Sequence, residues 1–220
     1  MSILCRGATI IYTASALSTK ATQSCRNGSR GHRFVKFPFS RRQSAPAAHV
    51  RLYLSLVDQS REPAFFERLG VPDTVDGRFD MIVLHVFLLL DRLRGHGERA
   101  ELLAQALFDH MFSDMDQNLR EMGVGDLSVG KKVKAMGEAF YGRAAAYRTG
   151  LEEAGDGALM EALRRNLFRK ADPQPAVLAA MVGYLRREST ALAARPLEGF
   201  LAGVVVFGPP PSVPAATMAG

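Results

Sequence analysis

The feature that most constrains the fold is an apolar run of ten residues, 81–90, in which only His85 is polar. As a helix, this run would rise about 15 Å, half the thickness of the hydrocarbon core of a bilayer, so it is too short to cross a membrane. It is apolar on every face, and such a helix must be covered on all sides. The run therefore predicts the central helix of a bundle.

The sequence around this run predicts further helices. In residues 98–122, Leu103, Leu107, Met111 and Met115 recur every four residues, which is typical of an amphipathic helix. Further helices are predicted at residues 48–60, 64–69, about 129–149, 156–170 and 174–194. Residues 201–207 are short and β-branched, so we expect an extended segment there. We predict an all-α fold, a single compact bundle of six or seven helices with a short extended C-terminal segment.

Two helix starts can be predicted from capping residues. Asp76 is placed to cap the central helix, and Ser128 to cap the helix that begins near residue 129. If the later helix begins near residue 129, its first turns contain Lys131, Lys132 and Lys134. Cations in that position oppose the helix dipole and reduce stability. A site for an acidic or anionic partner would give a reason for that arrangement. An ordinary charged surface is the alternative.

Charge is distributed unevenly along the chain. Residues 1–57 contain nine Lys and Arg and no Asp or Glu, so they contribute +9 to a formal net charge of +6 and leave −3 for residues 58–220. The basic composition is therefore no argument for nucleic-acid binding by the folded part. If the basic end itself binds nucleic acid, deletion of residues 1–47 should abolish the binding.

Three regions are predicted: a basic leader at 1–47, a helical domain at 48–207 and a disordered Pro-rich tail at 208–220. We favour a disordered leader without activity of its own. A mitochondrial presequence is the second interpretation, because the leader is acid-free and rich in Arg and Ser. The only cysteines, Cys5 and Cys25, lie in the leader, which excludes a disulfide framework or a Cys-based zinc site in the helical domain.

One group of residues suggests a metal site. Asp109, His110 and Asp114 are close together in sequence, and with His85 they would make the chain a helical metal-binding protein or enzyme. Bundles with two metal ions use Glu-x-x-His pairs, and no Glu in this chain is followed three residues later by His. We therefore favour a solvated polar stripe for the first three residues and a hydrogen-bonded core position for His85. The sequence contains no P-loop, nucleophile elbow or dinucleotide-binding motif, so we predict neither an enzyme nor a cofactor.

Several motifs, in the same order, resemble the ubiquinol–cytochrome c chaperone family. They include Leu69-Gly70-Val71-Pro72-Asp73-Thr74 and Phe140-Tyr141-Gly142-Arg143. The others lie at residues 76–80, 84–88, 92–93, 112–126 and 131–134. The resemblance covers about residues 50–207, and the leader falls outside it.

The resemblance implies a non-enzymatic assembly factor for the cytochrome bc complex, respiratory complex III. Its implied partners are newly made cytochrome b, the ribosome exit region, a second assembly factor and the surface of the inner membrane, with no small-molecule substrate. The composition favours a bacterial member that is cytoplasmic and peripheral to the inner membrane. In a eukaryote, the leader would instead be a presequence and the protein mitochondrial.

Two sets of residues are predicted to contact partners. A basic set could bind RNA, anionic lipid or acidic loops of a client. It consists of Arg120, Lys131, Lys132, Lys134, Tyr141 and Arg143. A set of methionines could shelter apolar client segments, because Met adapts to varied partners, although their spacing is more typical of a core. These are Met111, Met115, Met122 and Met136.

Overall fold

A computed structural model describes residues 47–213 of the chain. Residues 1–46 of the predicted leader and residues 214–220 of the predicted tail lie outside the described residues. The helices are α1 (Ala48–Ser60), α2 (Pro63–Glu67), α3 (Val75–Leu93), α4 (Glu98–Glu121), α5 (Asp126–Glu152), α6 (Gly157–Leu163), α7 (Pro175–Ala193) and α8 (Leu197–Leu201), with a π-helical turn at Arg164–Phe168 after α6.

The all-α prediction is confirmed, since residues 47–213 contain helices and connecting segments but no strand. Within this range, six helices have seven or more residues, and α2 and α8 have five each. The described chain contains no helix that is both long enough and apolar enough to span a membrane.

The central position of the apolar run is also confirmed. All residues from Met81 to Leu89 are buried, and α3 packs against α1, α4, α5, α7 and the π-helical turn. Thr74, not Asp76, caps the start of α3, because its hydroxyl accepts a hydrogen bond of 3.1 Å from the backbone N–H of Gly77. Asp76 lies in the first turn, where its charge favours the positive end of the helix dipole.

The second half of α5 packs against α3 and α6. Tyr147 packs against Phe87 of α3, with 5.6 Å between ring centroids. At Gly150 the backbone approaches α6 so closely that a Cβ atom would lie 2.7 Å from the Cα of Leu159. In the first half of α5, Gly137 lies against the Phe112 ring of α4. Residues 126–139 thus form a helical hairpin with the end of α4.

The C-terminal segment lies on the bundle in an extended conformation, as predicted. Val205 is buried, whereas Val204 and Val206 are exposed. The packed chain continues beyond Phe207, because Gly208 donates a backbone hydrogen bond of 2.9 Å to Glu188 of α7. The predicted start of the tail at residue 208 is therefore too early.

Candidate functional site

Three of the six predicted partner-binding residues share one face of α5. Lys131, Lys134 and Tyr141 lie four, seven and fourteen residues after Leu127, which places all four side chains on one side of the helix. All four are exposed, and Glu138 lies on the same side. We call this set the α5 face: Leu127, Lys131, Lys134, Glu138 and Tyr141.

The α5 face combines apolar and cationic groups. Tyr141 is 45% exposed, and its ring packs against Phe108 with 5.6 Å between centroids. Lys134 lies 3.9 Å from Glu138, and both side chains are more than two-thirds exposed, so this pair contributes little to stability. The face therefore presents cations beside an aromatic ring whose position is fixed by packing.

The helix-dipole argument for the lysines is wrong. The helix begins at Asp126, not near residue 129, so Lys131, Lys132 and Lys134 lie beyond the first turn. The helix dipole acts mainly within that turn, and there Asp126 has the favourable sign. The case for a partner-binding surface therefore depends on exposure and charge.

Lys132 is exposed but points about 100° away from Lys131 around the helix axis, so it lies beside the α5 face. Arg120 is exposed too, but its charge is balanced. Its guanidinium lies 2.6 Å from Asp116 and also pairs with Asp126 at the start of α5. Arg120 therefore joins the two helices across their connection instead of offering a free cation.

Arg143 is an interior residue, which corrects its predicted role in partner binding. Its side chain is 13% exposed, and its guanidinium lies 3.0 Å from the fully buried carboxylate of Asp80. Arg169, after the π-helical turn, binds the same carboxylate at 2.6 Å. Burial raises the pKa of Asp80, while the two guanidinium groups oppose that rise. Arg143 thus joins α5 to α3.

The four methionines divide between core and surface. Met111 and Met115 are buried, as their spacing indicated, and Met136 is partly buried against the core. Met122, at the end of α4, is 53% exposed. Only Met122 remains a candidate for contact with an apolar partner.

The structure does not bring the predicted metal ligands together. Asp114 accepts hydrogen bonds from Tyr53 at 2.7 Å and from Asn118 at 3.1 Å, while Asp109 accepts one from Gln105. Among residues 47–213, no three His, Cys, Asp or Glu side chains are grouped so that they could hold a metal ion. The structure therefore contradicts the alternative interpretation, a metal site formed by His85, Asp109, His110 and Asp114.

His85 is a hydrogen-bonded core residue, as we favoured. Its Nδ1 lies 2.9 Å from the carbonyl oxygen of Met81, and its Nε2 lies 2.8 Å from the hydroxyl of Tyr184. A carbonyl can only accept, so Nδ1 carries the proton and Nε2 accepts from Tyr184. The neutral ring is thus fully satisfied, and burial lowers the pKa of His85 to about 4.

The low pKa of His85 predicts a loss of stability in mild acid. The unfolded chain binds a proton at this residue below about pH 6.5, and the folded chain does so only near pH 4, so stability falls as the pH drops through that window. We expect a loss of about 2 kcal/mol between pH 7.5 and pH 5 from this residue alone. Denaturant unfolding across that range measures the loss. In a His85→Gln variant the pH dependence should be weaker by that amount, and an unchanged dependence would contradict the assignment.

Comparison with known proteins relates these features to a family. The sequence matches the family described as Ubiquinol-cytochrome C chaperone over residues 67–207. This range runs from the end of α2 to the extended C-terminal segment, so it includes the α5 face and the buried Asp80 cluster.

Two animal proteins share this similarity. The chain is 30% identical to the ubiquinol-cytochrome-c reductase complex assembly factor 1 of Xenopus laevis over 165 residues, covering 74% of this chain and 81% of the relative. It is 30% identical to the Mus musculus protein of the same description over 141 residues, covering 64% of this chain. The matched part is 48% of the mouse protein, about half its length.

A solved structure shows the same fold. The crystal structure of the Cbp3 homolog from Brucella abortus superimposes with a TM-score of 0.68 at 33% sequence identity. The similarity covers 74% of this chain and 89% of the Brucella abortus chain. The helical arrangement described above is therefore shared by an experimentally determined structure.

Proposed function

The chain belongs to the ubiquinol–cytochrome c chaperone family, and we propose that it is a non-enzymatic assembly factor that binds newly made cytochrome b. The family match over residues 67–207 is the observation that carries this proposal. It spans most of the helical bundle, not one isolated motif. The related animal proteins are described as assembly factors of the reductase complex, and cytochrome b as the client is our more specific proposal.

We place the client contact on the α5 face. A membrane protein under assembly offers apolar segments and the charged loops that flank them. Leu127 and Tyr141 suit the apolar part, and Lys131 and Lys134 suit acidic groups beside it. Tyrosine is enriched in interfaces because it combines a large apolar ring with a polar end.

Other partners belong to the same proposal. A second assembly factor and the ribosome exit region would bring the client to this chain, and the chain would act at the surface of the membrane that receives the client. A bacterial member would do so from the cytoplasm, and a mitochondrial member from the matrix side. The choice between a bacterial and a mitochondrial location depends on the leader, and residues 1–46 of the leader lie outside the described residues.

Reversal of two charges on the α5 face should impair assembly without unfolding the protein. In cells that lack this chain, we expect wild type to restore complex III activity and the variant Lys131→Glu with Lys134→Glu to restore much less, because the variant face repels acidic client segments. Both lysines are exposed, so circular dichroism and denaturant unfolding should show an intact fold.

Lys170 provides a matched control, since it is an exposed lysine outside the α5 face. Lys170→Glu should restore activity as wild type does. If the double variant also restores full activity, the α5 face is not the client surface.

A further inference from the structure

After α8, the C-terminal segment runs back along α7. We call residues 204–209 the strap. The carbonyl oxygen of Val206 accepts a hydrogen bond from Arg195, just after α7, and the carbonyl oxygen of Pro209 accepts one of 2.6 Å from Arg187 within α7. The strap therefore lies antiparallel to α7 and is held by side chains of that helix and its end.

Gly208 of the strap is held from two helices. Its backbone N–H donates to Glu188 of α7 at 2.9 Å, and its carbonyl oxygen accepts from Gln59 of α1 at 3.0 Å. A Cβ atom at this position would lie 2.7 Å from Oε1 of Glu188, so the place suits glycine. All four hydrogen bonds named so far join a side chain of the bundle to the main chain of the strap. Such bonds do not depend on the side chains of the segment that is held.

The side chains of the strap alternate between the bundle and solvent, as those of an extended segment do. Val205 is buried and Phe207 packs on the ring of His85, with 5.1 Å between centroids. Val204 and Val206 are each 58% exposed. The groove between α1 and α7 thus accepts an aliphatic side chain, then an aromatic one two residues later, with glycine directly after it.

The floor of this groove is held together by contacts that do not involve the strap. The ring of Phe65 lies edge-on to His85 and to Tyr184, with centroid distances of 5.7 and 5.3 Å. The hydroxyl of Tyr184 lies 2.8 Å from His85 and accepts a hydrogen bond of 3.1 Å from Gln59. The aromatic pocket beneath Phe207 therefore keeps its arrangement when the strap leaves.

The chain is anchored just before the strap begins. The carbonyl oxygen of Ala202 accepts a hydrogen bond of 2.6 Å from Arg51 of α1, and Phe200 of α8 is buried. Residues 204–209 themselves form neither helix nor strand. The strap can therefore leave the groove without unfolding a helix.

We propose that the groove between α1 and α7 binds an extended segment of a partner protein, and that the strap fills it until the partner displaces the strap. The partner segment has the pattern of the strap: aliphatic, any residue, aromatic, glycine. Main-chain hydrogen bonds supply affinity and the aromatic pocket supplies specificity, as in other proteins that bind extended peptides. The buried carboxylate of Glu188 favours an occupied groove, because it needs a donor. This site lies apart from the α5 face and does not depend on the identity of the client.

A labelled peptide with the sequence of residues 203–211 tests the proposal, with the full chain as receptor. Fluorescence anisotropy should show weak binding to wild type, because the tethered strap competes at an effective concentration of about millimolar. Phe207→Ser in the chain should tighten binding by about tenfold or more, since a weakened strap leaves the groove open more often. Gly208→Ala in the chain removes no apolar contact and should act in the same direction. A strap with only a structural role would give neither variant any affinity for the peptide.

Changes in the peptide and in the groove test whether binding uses the contacts of the strap. With the Phe207→Ser chain as receptor, Val205→Ser in the peptide should lower affinity by about tenfold, because that side chain is buried. Val206→Ser in the peptide is the matched control on the solvent face and should have no effect. In the same chain, Gln59→Ala should weaken binding by about fivefold through loss of one hydrogen bond. Gln117→Ala, at an exposed glutamine on α4, should not.

Wild type provides a further measurement that needs no variant to fold. Peptide at millimolar concentration should speed hydrogen exchange at the Gly208 amide, because the displaced strap loses its bond to Glu188. Unchanged exchange would overturn the proposal, and so would peptide affinity that is equal for the Val205→Ser and Val206→Ser peptides. A dimer in size-exclusion chromatography that excess peptide dissociates would make the strap of a second copy the occupant and overturn the assignment to a separate partner.

Discussion

Asp80→Asn should destabilise the protein by about 3 kcal/mol at neutral pH, because it leaves two guanidinium groups at a buried site without their carboxylate. Asp80 is fully buried, and both Arg143 and Arg169 bind it. Arg169 is the only residue other than glycine with a positive φ, 53°, between residues 47 and 213. Its ψ of −102° places Arg169 outside the left-handed helical region, in a sparsely populated conformation that costs about 1–3 kcal/mol, and the ion pair offsets that cost. Denaturant unfolding of wild type and variant measures the effect.

Asp73→Asn is the matched control for this prediction. Asp73 also pairs with an arginine, Arg78, at 2.6 Å, but more than half of each side chain is exposed. Solvent screens such a pair, so its loss should change stability little. Equal effects of the two substitutions would show that the buried cluster does not hold α3, α5 and the π-helical turn together.

Gly150→Ala should also destabilise the protein by about 3 kcal/mol, although alanine is normally the better helix former. The added Cβ would lie 2.7 Å from the Cα and 2.8 Å from the backbone nitrogen of Leu159. Backbone atoms cannot move aside as the end of a flexible side chain can, so α5 and α6 would have to separate. The separation would disturb buried residues of α6 such as Leu163.

Gly142→Ala, on the same helix, should have the opposite sign. Apart from its chain neighbours and the backbone of its own helix, no atom lies within 4 Å of a Cβ built at Gly142, so this substitution gains helix propensity, up to about 1 kcal/mol. Thermal and denaturant unfolding of the two variants gives a direct comparison. A stabilising Gly150→Ala would mean that α5 and α6 do not pack as closely as described.

Local sequence signals were enough to predict most of the helices. The bounds predicted for α1 agree with the structure, and α4 ends one residue earlier than expected. The apolar run of α3 could be placed at the centre because its pattern leaves no face for solvent. Gly123 follows α4 in the left-handed region, with φ 79°, a conformation that glycine adopts readily at the end of a helix.

The start of α5 could not be predicted correctly because two residues offer similar local signals. Asp126 and Ser128 are both good residues near a helix N-terminus, and the structure begins the helix at Asp126. The difference of a few residues moves all three lysines out of the first turn. It also leaves Leu127 in that turn with its side chain in solvent, which periodicity did not indicate.

Long-range ion pairs could not be predicted from local sequence signals either. Arg143 follows Tyr141 in a motif of the family, and nothing local shows that its side chain turns inward. Its partner, Asp80, comes directly before the apolar run of α3, and a buried carboxylate needs a cation that only the folded chain supplies. A charged residue bordering the apolar run was the available sign that a distant arginine would be an interior residue.

The most direct test of the assembly role is the reduced-minus-oxidised absorption spectrum of membranes from cells that lack this chain. We predict selective loss of the cytochrome b signal together with complex III activity, with both restored by residues 48–220. Unchanged cytochrome b and unchanged activity would contradict the assembly role for this chain.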